Sequence, residues 1–143
     1  MKYGYIGLGN LGANCAACMV RDGFDVTVFD INPDNAKSLL AAGATWAGSA
    51  AEVAQSVDHV ITCLPSPSVT ARVLNDILPV MHEGQHWIEM STLGRDDVLR
   101  FAEMAQEHGV RMMELPVTGG VHLAAQGKIT MLPGGDADLV DLH

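Results

Sequence analysis

Three glycines carry the most chemistry in their spacing: Gly7-Leu8-Gly9-Asn10-Leu11-Gly12 fits G-x-G-x-x-G, and an acid, Asp30, follows 18 residues after Gly12. Between a strand and a helix each glycine has a reason. Gly7 permits a tight turn, Gly9 lets the backbone approach a pyrophosphate, and Gly12 lets helix and strand pack closely. The backbone N–H groups of Asn10 and Leu11, at the helix N-terminus, would then meet the anion. Asp30 would accept hydrogen bonds from an adenosine ribose and repel a 2′-phosphate. Its neighbours Ile31 and Asn32 supply no cation to neutralise one, so NAD is expected over NADP. The other reading of the same residues is that the glycines only make a turn and Asp30 caps the segment after it.

The remaining reactive residue types read more plainly. Cys15-Ala16-Ala17-Cys18 has C-x-x-C spacing but falls inside the helix expected after the glycine loop, with no second ligand pair, so small core-facing side chains are expected. Cys63 is expected to be buried packing. His82 and His86 are four apart with Gly84 between them, which argues against a metal-binding helix face and for two surface histidines. His122 is expected on an exposed loop, with a role as substitute acid/base as the alternative. Met112, Met113 and Met131 are expected to line the core or a cleft, and no metal site is expected. Asp136, Asp138 and Asp141 read as the solvated first turn of a last helix.

To position the glycine loop the chain must supply strands and helices in alternation, and it does so from its first residues. Strands are expected at residues 2–8, 25–30, 57–64, 85–90 and 111–114, with a weaker one at 129–132. Apolar faces at Leu11, Cys15, Cys18 and Met19, and at Val98, Phe101, Ala102 and Ala105, mark helices between them. Asn32-Pro33, Ser66-Pro67 and the capping-box pattern Ser49-Ala50-Ala51-Glu52 start others, while Gly43 and Gly109 stop them. This alternation predicts an α/β fold, a doubly wound and mostly parallel sheet in a single domain over residues 1–143.

Composition excludes several functions. Eight Lys and Arg against 17 Asp and Glu give a net charge of −9, with the cations scattered, which argues against a nucleic-acid partner. No apolar run approaches the ~20 residues of a membrane span, and the first residues reach glycine and Asn10 too soon for a signal peptide. With three cysteines, an odd number, the chain is expected to be cytoplasmic.

Three later segments complete a pattern: Ile61-Thr62-Cys63-Leu64-Pro65; Glu89-Met90-Ser91-Thr92; and Pro116-Val117-Thr118-Gly119-Gly120, followed by Gly127-Lys128-Ile129-Thr130-Met131 and Gly134-Gly135-Asp136. In that order the chain resembles the β-hydroxyacid dehydrogenase family, which includes 3-hydroxyisobutyrate, tartronate semialdehyde and 6-phosphogluconate dehydrogenases. The resemblance implies a Rossmann-like NAD-binding domain. It places Gly7, Gly9, Asn10, Leu11, Gly12 and Asp30 on the adenosine diphosphate, Leu64 and Pro65 further along the cofactor, and Thr92 near the nicotinamide ribose. Thr118, Gly119 and Gly120 would hold the substrate, a small hydroxy acid; Thr118 stands where many members have Ser, and Asn10 where they have an apolar residue.

The family's general acid/base is a lysine in a later glycine-containing helix, beyond the position of His143. Lys2, Lys37 and Lys128 do not match its context. The resemblance therefore implies a cofactor domain without its helical partner domain, inactive by itself, and a homo-oligomer at full length. A non-catalytic nucleotide-binding or assembly module is the alternative.

Overall fold

Alternation of side chains along each strand divides the core between two faces. In β1 (Lys2–Ile6), Tyr3 and Tyr5 enter one apolar cluster and Ile6 the other; in β2 (Asp25–Phe29), Val26 and Val28 join the first. The shortest strand, β3 (Thr45–Trp46), pairs with β2. In β4 (His59–Thr62), β5 (His86–Glu89) and β6 (Arg111–Glu114), Ile61, Ile88 and Met113 face the first cluster, while Val60, Trp87 and Met112 face the second. A sheet apolar on both faces must be covered on both, which is the condition for parallel strands. The computed structural model describes residues 1–143 and shows this sheet, all parallel, in the order β3-β2-β1-β4-β5-β6. That is the doubly wound order of dinucleotide-binding folds, as expected.

The helices complete the two layers. On the first face lie α1 (Gly12–Arg21), α2 (Lys37–Ala41), α6 (Val121–Ala125) and α7 (Ala137–Leu142), contributing Cys15, Ala16, Leu39, Ala124 and Leu139. On the second lie α3 (Ala50–Ser56), α4 (Pro67–Ile77) and α5 (Arg95–Glu107), contributing Val53, Leu74, Ile77, Phe101 and Ala105. Caps start several of them. The Ser49 hydroxyl accepts from Glu52 N at 3.1 Å and the Ser66 hydroxyl from Val69 N at 3.4 Å. The Glu52 carboxylate reaches Gly48 N at 2.7 Å, one residue before the position a capping box gives it. Asn32 begins a 3₁₀ turn, Pro33–Ala36, that runs into α2.

Several expectations need correction. The weak strand at 129–132 is no sixth member of the main sheet: β8 (Thr130–Met131) pairs antiparallel with β7 (Val117–Thr118) in a separate two-stranded sheet. The strand expected at 57–64 is confined to residues 59–62, because Val57 ends α3 and Cys63 leaves the sheet. His86 is no surface residue. It opens β5 and is only 9% exposed, and the rings of His59, His86 and His143 pack together, each imidazole held below its usual range first by burial. His122 sits on α6 rather than a loop, while Met131, 46% exposed, lines a second cleft with Met113, one of the two places expected for it. Asp136 and Asp138 stand exposed at the start of α7, as expected, and there the Arg111 guanidinium donates to Asp136 at 2.7 Å and to both oxygens of Asp138 at 2.8 Å, holding α7 against β6. No helix is long and apolar enough to cross a membrane.

Gly4, in the middle of β1, sets how closely α3 approaches the sheet. A Cβ there would overlap Val53 Cγ1 and come within 3.1 Å of Val57 Cγ2. Overpacking of this kind costs about 1–3 kcal/mol, so Gly4→Ala is expected to lower the unfolding free energy in urea by that amount with little change in the slope.

Candidate functional site

Strand order reverses between β1 and β4, and the chain leaves both strands at the same end of the sheet but turns to opposite faces. Helices on opposite faces diverge there and open a cleft of about 820 Å³ beyond the C-terminal ends of the strands. All nine residues expected at a cofactor line it: Gly7, Gly9, Asn10, Leu11, Gly12, Asp30, Leu64, Pro65 and Thr92.

The glycine loop has three different geometries. Gly7 has a φ of +96°, and a Cβ on it would strike the Cys63 carbonyl. At Gly12 a Cβ would strike the Gly7 carbonyl oxygen, so the start of α1 and the end of β1 approach as only glycine allows. At Gly9 a Cβ meets nothing within 4 Å and would project into open space. Asp30 latches the loop: its Oδ2 accepts from Leu8 N at 2.6 Å, while Oδ1 accepts from Asn32 N at 2.8 Å and Asn35 Nδ2 at 3.2 Å. It therefore also does the capping that the second sequence reading allowed. With about four lone-pair sites on a carboxylate, three are used and one on Oδ2 is free.

The N-terminus of α1 differs from those of α3 and α4. It has no side-chain cap and no acid in its first turn, and the N–H groups of Asn10, Leu11 and Gly12 donate to no protein acceptor. Those donors, at the positive end of a ten-residue helix, line the cleft beside Gly9. An anion is the natural partner for such a set.

Sequence reasoning missed part of the wall. Val69, Arg72, Val73 and Asp76 reach the cleft from one face of α4, and Ile31, 95% exposed, lies next to Asp30. The i, i+3, i+4, i+7 spacing on α4 was the available signal. Cys63 also lines the cleft, but burial pushes its thiol up to about 12, so it offers no thiolate. Cys15 is raised as well, again first by burial, as expected for a packing residue rather than a redox pair. Thr118, Gly119 and Gly120 do not line the cleft. They form an exposed turn between β7 and α6, with φ of +123° at Gly119 and +83° at Gly120, and the N–H groups of both glycines are free.

Beneath the cleft lies a closed polar chain. Trp87 Nε1 donates to Thr62 Oγ1 at 2.8 Å, and Thr62 Oγ1 donates to Glu89 Oε2 at 2.6 Å. The other Glu89 oxygen accepts from Ser91 N, and the Ser91 hydroxyl accepts from Leu64 N at 2.7 Å. Glu89 is fully buried, and burial holds its carboxyl above the usual range against the lowering effect of the Ser91 and Thr62 hydrogen bonds. This chain joins the Cys63-Leu64-Pro65 turn after β4 to the Ser91-Thr92 turn after β5. In Glu89→Gln the amide N–H would either face Ser91 N–H or donate to Thr62 Oγ1 and leave the Thr62 hydroxyl proton without its acceptor. A buried donor left unpaired costs about 1–3 kcal/mol, a loss expected in the urea-unfolding free energy of that variant.

Residues 2–143 match the protein family described as the NAD binding domain of 6-phosphogluconate dehydrogenase. The mitochondrial 3-hydroxyisobutyrate dehydrogenase of Mus musculus is 36% identical over 138 residues, which cover 94% of this chain and 41% of that protein. The NAD-dependent L-serine dehydrogenase of Pseudomonas aeruginosa is 36% identical over 140 residues, 96% of this chain and 47% of that one. Among solved structures, Mycobacterium tuberculosis 3-hydroxyisobutyrate dehydrogenase with L-serine superposes with a TM-score of 0.95 at 33% identity, over 99% of this chain and 48% of that one. The chain thus spans about half the length of the relatives it matches. Its strand order, its glycine loop and the match over 142 of its residues, 2–143, place the chain in the family of 6-phosphogluconate dehydrogenase NAD-binding domains.

Proposed function

We propose that NAD lies along this cleft and that the activity it serves is oxidation of a small 3-hydroxy acid. The observation that carries the reading is the uncapped N-terminus of α1, open above Gly9 and next to the one free acceptor of Asp30. The free N–H groups of Asn10, Leu11 and Gly12 take the pyrophosphate, and Gly9 keeps the approach clear. The remaining lone pair on Asp30 Oδ2 accepts from an adenosine ribose hydroxyl, and its charge turns away a 2′-phosphate. Ile31 offers apolar surface to the base. Leu64 and Pro65, fixed by Ser91, and Thr92 border the nicotinamide half, where the bound cofactor supplies a hydride acceptor.

The substrate class rests on the relatives, dehydrogenases of 3-hydroxyisobutyrate and of L-serine, both 3-hydroxy acids. Thr118, Gly119 and Gly120 suit its carboxylate, because an exposed hydroxyl and two free N–H groups share one turn. Removing hydride from an alcohol also requires a base for the hydroxyl proton. None of Lys2, Lys37 and Lys128 lines the cleft, so the 143 residues are inferred to bind cofactor without turning substrate over.

Gly9 separates binding from folding. Gly9→Val is expected to unfold within about 0.5 kcal/mol of the native chain, as for a surface change, and to lose the rise in thermal midpoint that NAD produces. NAD stabilisation equal to that of the native chain would contradict the site. Gly12→Val serves as the contrast: it is expected to unfold at a lower midpoint even without ligand, because its side chain meets the Gly7 carbonyl.

A further inference from the structure

At the other end of the sheet, away from the cleft, three histidines from distant segments meet. His59 and His86 open β4 and β5 and are partners in register. His143, following α7, closes over them. The ring centroids of His59 and His86 are 4.7 Å apart, those of His59 and His143 4.6 Å, and those of His86 and His143 5.3 Å. One ring nitrogen from each lies within 4.8 Å of the other two. Imidazoles on one zinc-sized ion, at about 2.0–2.1 Å each, bring their nitrogens to about 3.3 Å, and His86 Nδ1 and His143 Nε2 are 3.0 Å apart.

Hydrogen bonds say which nitrogens have a lone pair to give. The Tyr3 hydroxyl lies 2.9 Å from Met1 Sδ and 3.0 Å from His143 Nδ1, and in the tautomer in which His143 Nδ1–H donates to the Tyr3 oxygen, His143 Nε2 has a lone pair to give. A ligating histidine whose second ring nitrogen donates to an oxygen is the usual outer-shell arrangement of metal sites. His59 Nδ1 has its lone pair in a long contact with His86 N–H at 3.3 Å, and the proton shared between His86 Nδ1 and His143 Nε2 at 3.0 Å leaves for the other His86 ring nitrogen or for solvent when an ion binds. The rings of His59 and His86 lie 23° from parallel, so closing on an ion turns one of them about χ2, a torsion with a broad minimum. Around the trio, Asp58 faces His59, Asp138 and Arg111 face His86, and the chain's amino terminus lies near Asp58. Arg111 is already neutralised by Asp136 and Asp138.

We propose that His59, His86 and His143 form a three-histidine site for a borderline divalent ion of the zinc class. The bound ion would clasp the end of α7 to the first residues of β4 and β5. Imidazole suits zinc, nickel and cobalt and disfavours calcium and magnesium.

The test is calorimetric titration of chelator-stripped chain with zinc chloride under reducing conditions, alongside thermal unfolding. One ion per chain and a raised thermal midpoint are expected, with no response to magnesium. His143→Ala is expected to weaken zinc more than about tenfold and to lose the zinc-induced rise in midpoint, each variant being compared with its own stripped form because the His143 ring also meets Tyr3 and His86 without metal. His82→Ala is expected to bind as the native chain does. Absence of zinc binding by the native chain would overturn the site, as would affinity unchanged in His143→Ala. Binding abolished by alkylating the three cysteines and untouched by His143→Ala would move the ion to the thiols and equally overturn it.

Discussion

The structure depends on one backbone contact, the carbonyl of Gly7 against the Cα of Gly12. With no side chain between them, α1 starts directly above the end of β1, and its first N–H groups are aimed at the space between β1 and β4. Any other residue at position 12 would lift the helix and withdraw those donors. The positive φ of Gly7 and the hydrogen bond from Leu8 N to Asp30 hold the turn between them. Packing and, in the proposed cofactor site, anion and ribose recognition therefore converge on about six residues of backbone.

The cleft is fixed on its other side by polar groups rather than by glycines. Glu89 has no solvent contact, and its carboxylate sets the turn carrying Ser91 and Thr92 through Ser91 N, while the Ser91 hydroxyl sets the turn carrying Leu64 and Pro65. Two turns from neighbouring strands are thus tied together through Ser91. A buried carboxylate is costly unless every partner is present, and here no buried side-chain nitrogen or oxygen lacks one.

Most of the cleft's lining was legible in the sequence because its signals are local. G-x-G-x-x-G, the acid after β2 and the turns after β4 and β5 each sit at the end of a strand whose alternation or apolar run can be read directly. The doubly wound, parallel arrangement was legible for the same reason, since repeated strand–helix units leave few topologies. What was missed is set by contacts between distant segments. β3 is only two residues long and exists through its pairing with β2. The 129–132 segment reads as a strand, but its partner is β7 and not the main sheet. His86 looked exposed because Gly84 and His82 beside it are; its burial comes from β4 and the end of α7. The Arg111 grip on Asp136 and Asp138 spans 25 and 27 residues, beyond any helical or strand period.

The central claim, that Asp30 and the open end of α1 make this a site for NAD in preference to NADP, is tested most directly by calorimetric titration of the chain with each dinucleotide in the same buffer. The account predicts one NAD per chain and NADP binding at least about tenfold weaker, as expected for a 2′-phosphate brought against a carboxylate. Equal or tighter NADP binding would contradict the role of Asp30, and absence of heat with either would contradict the site.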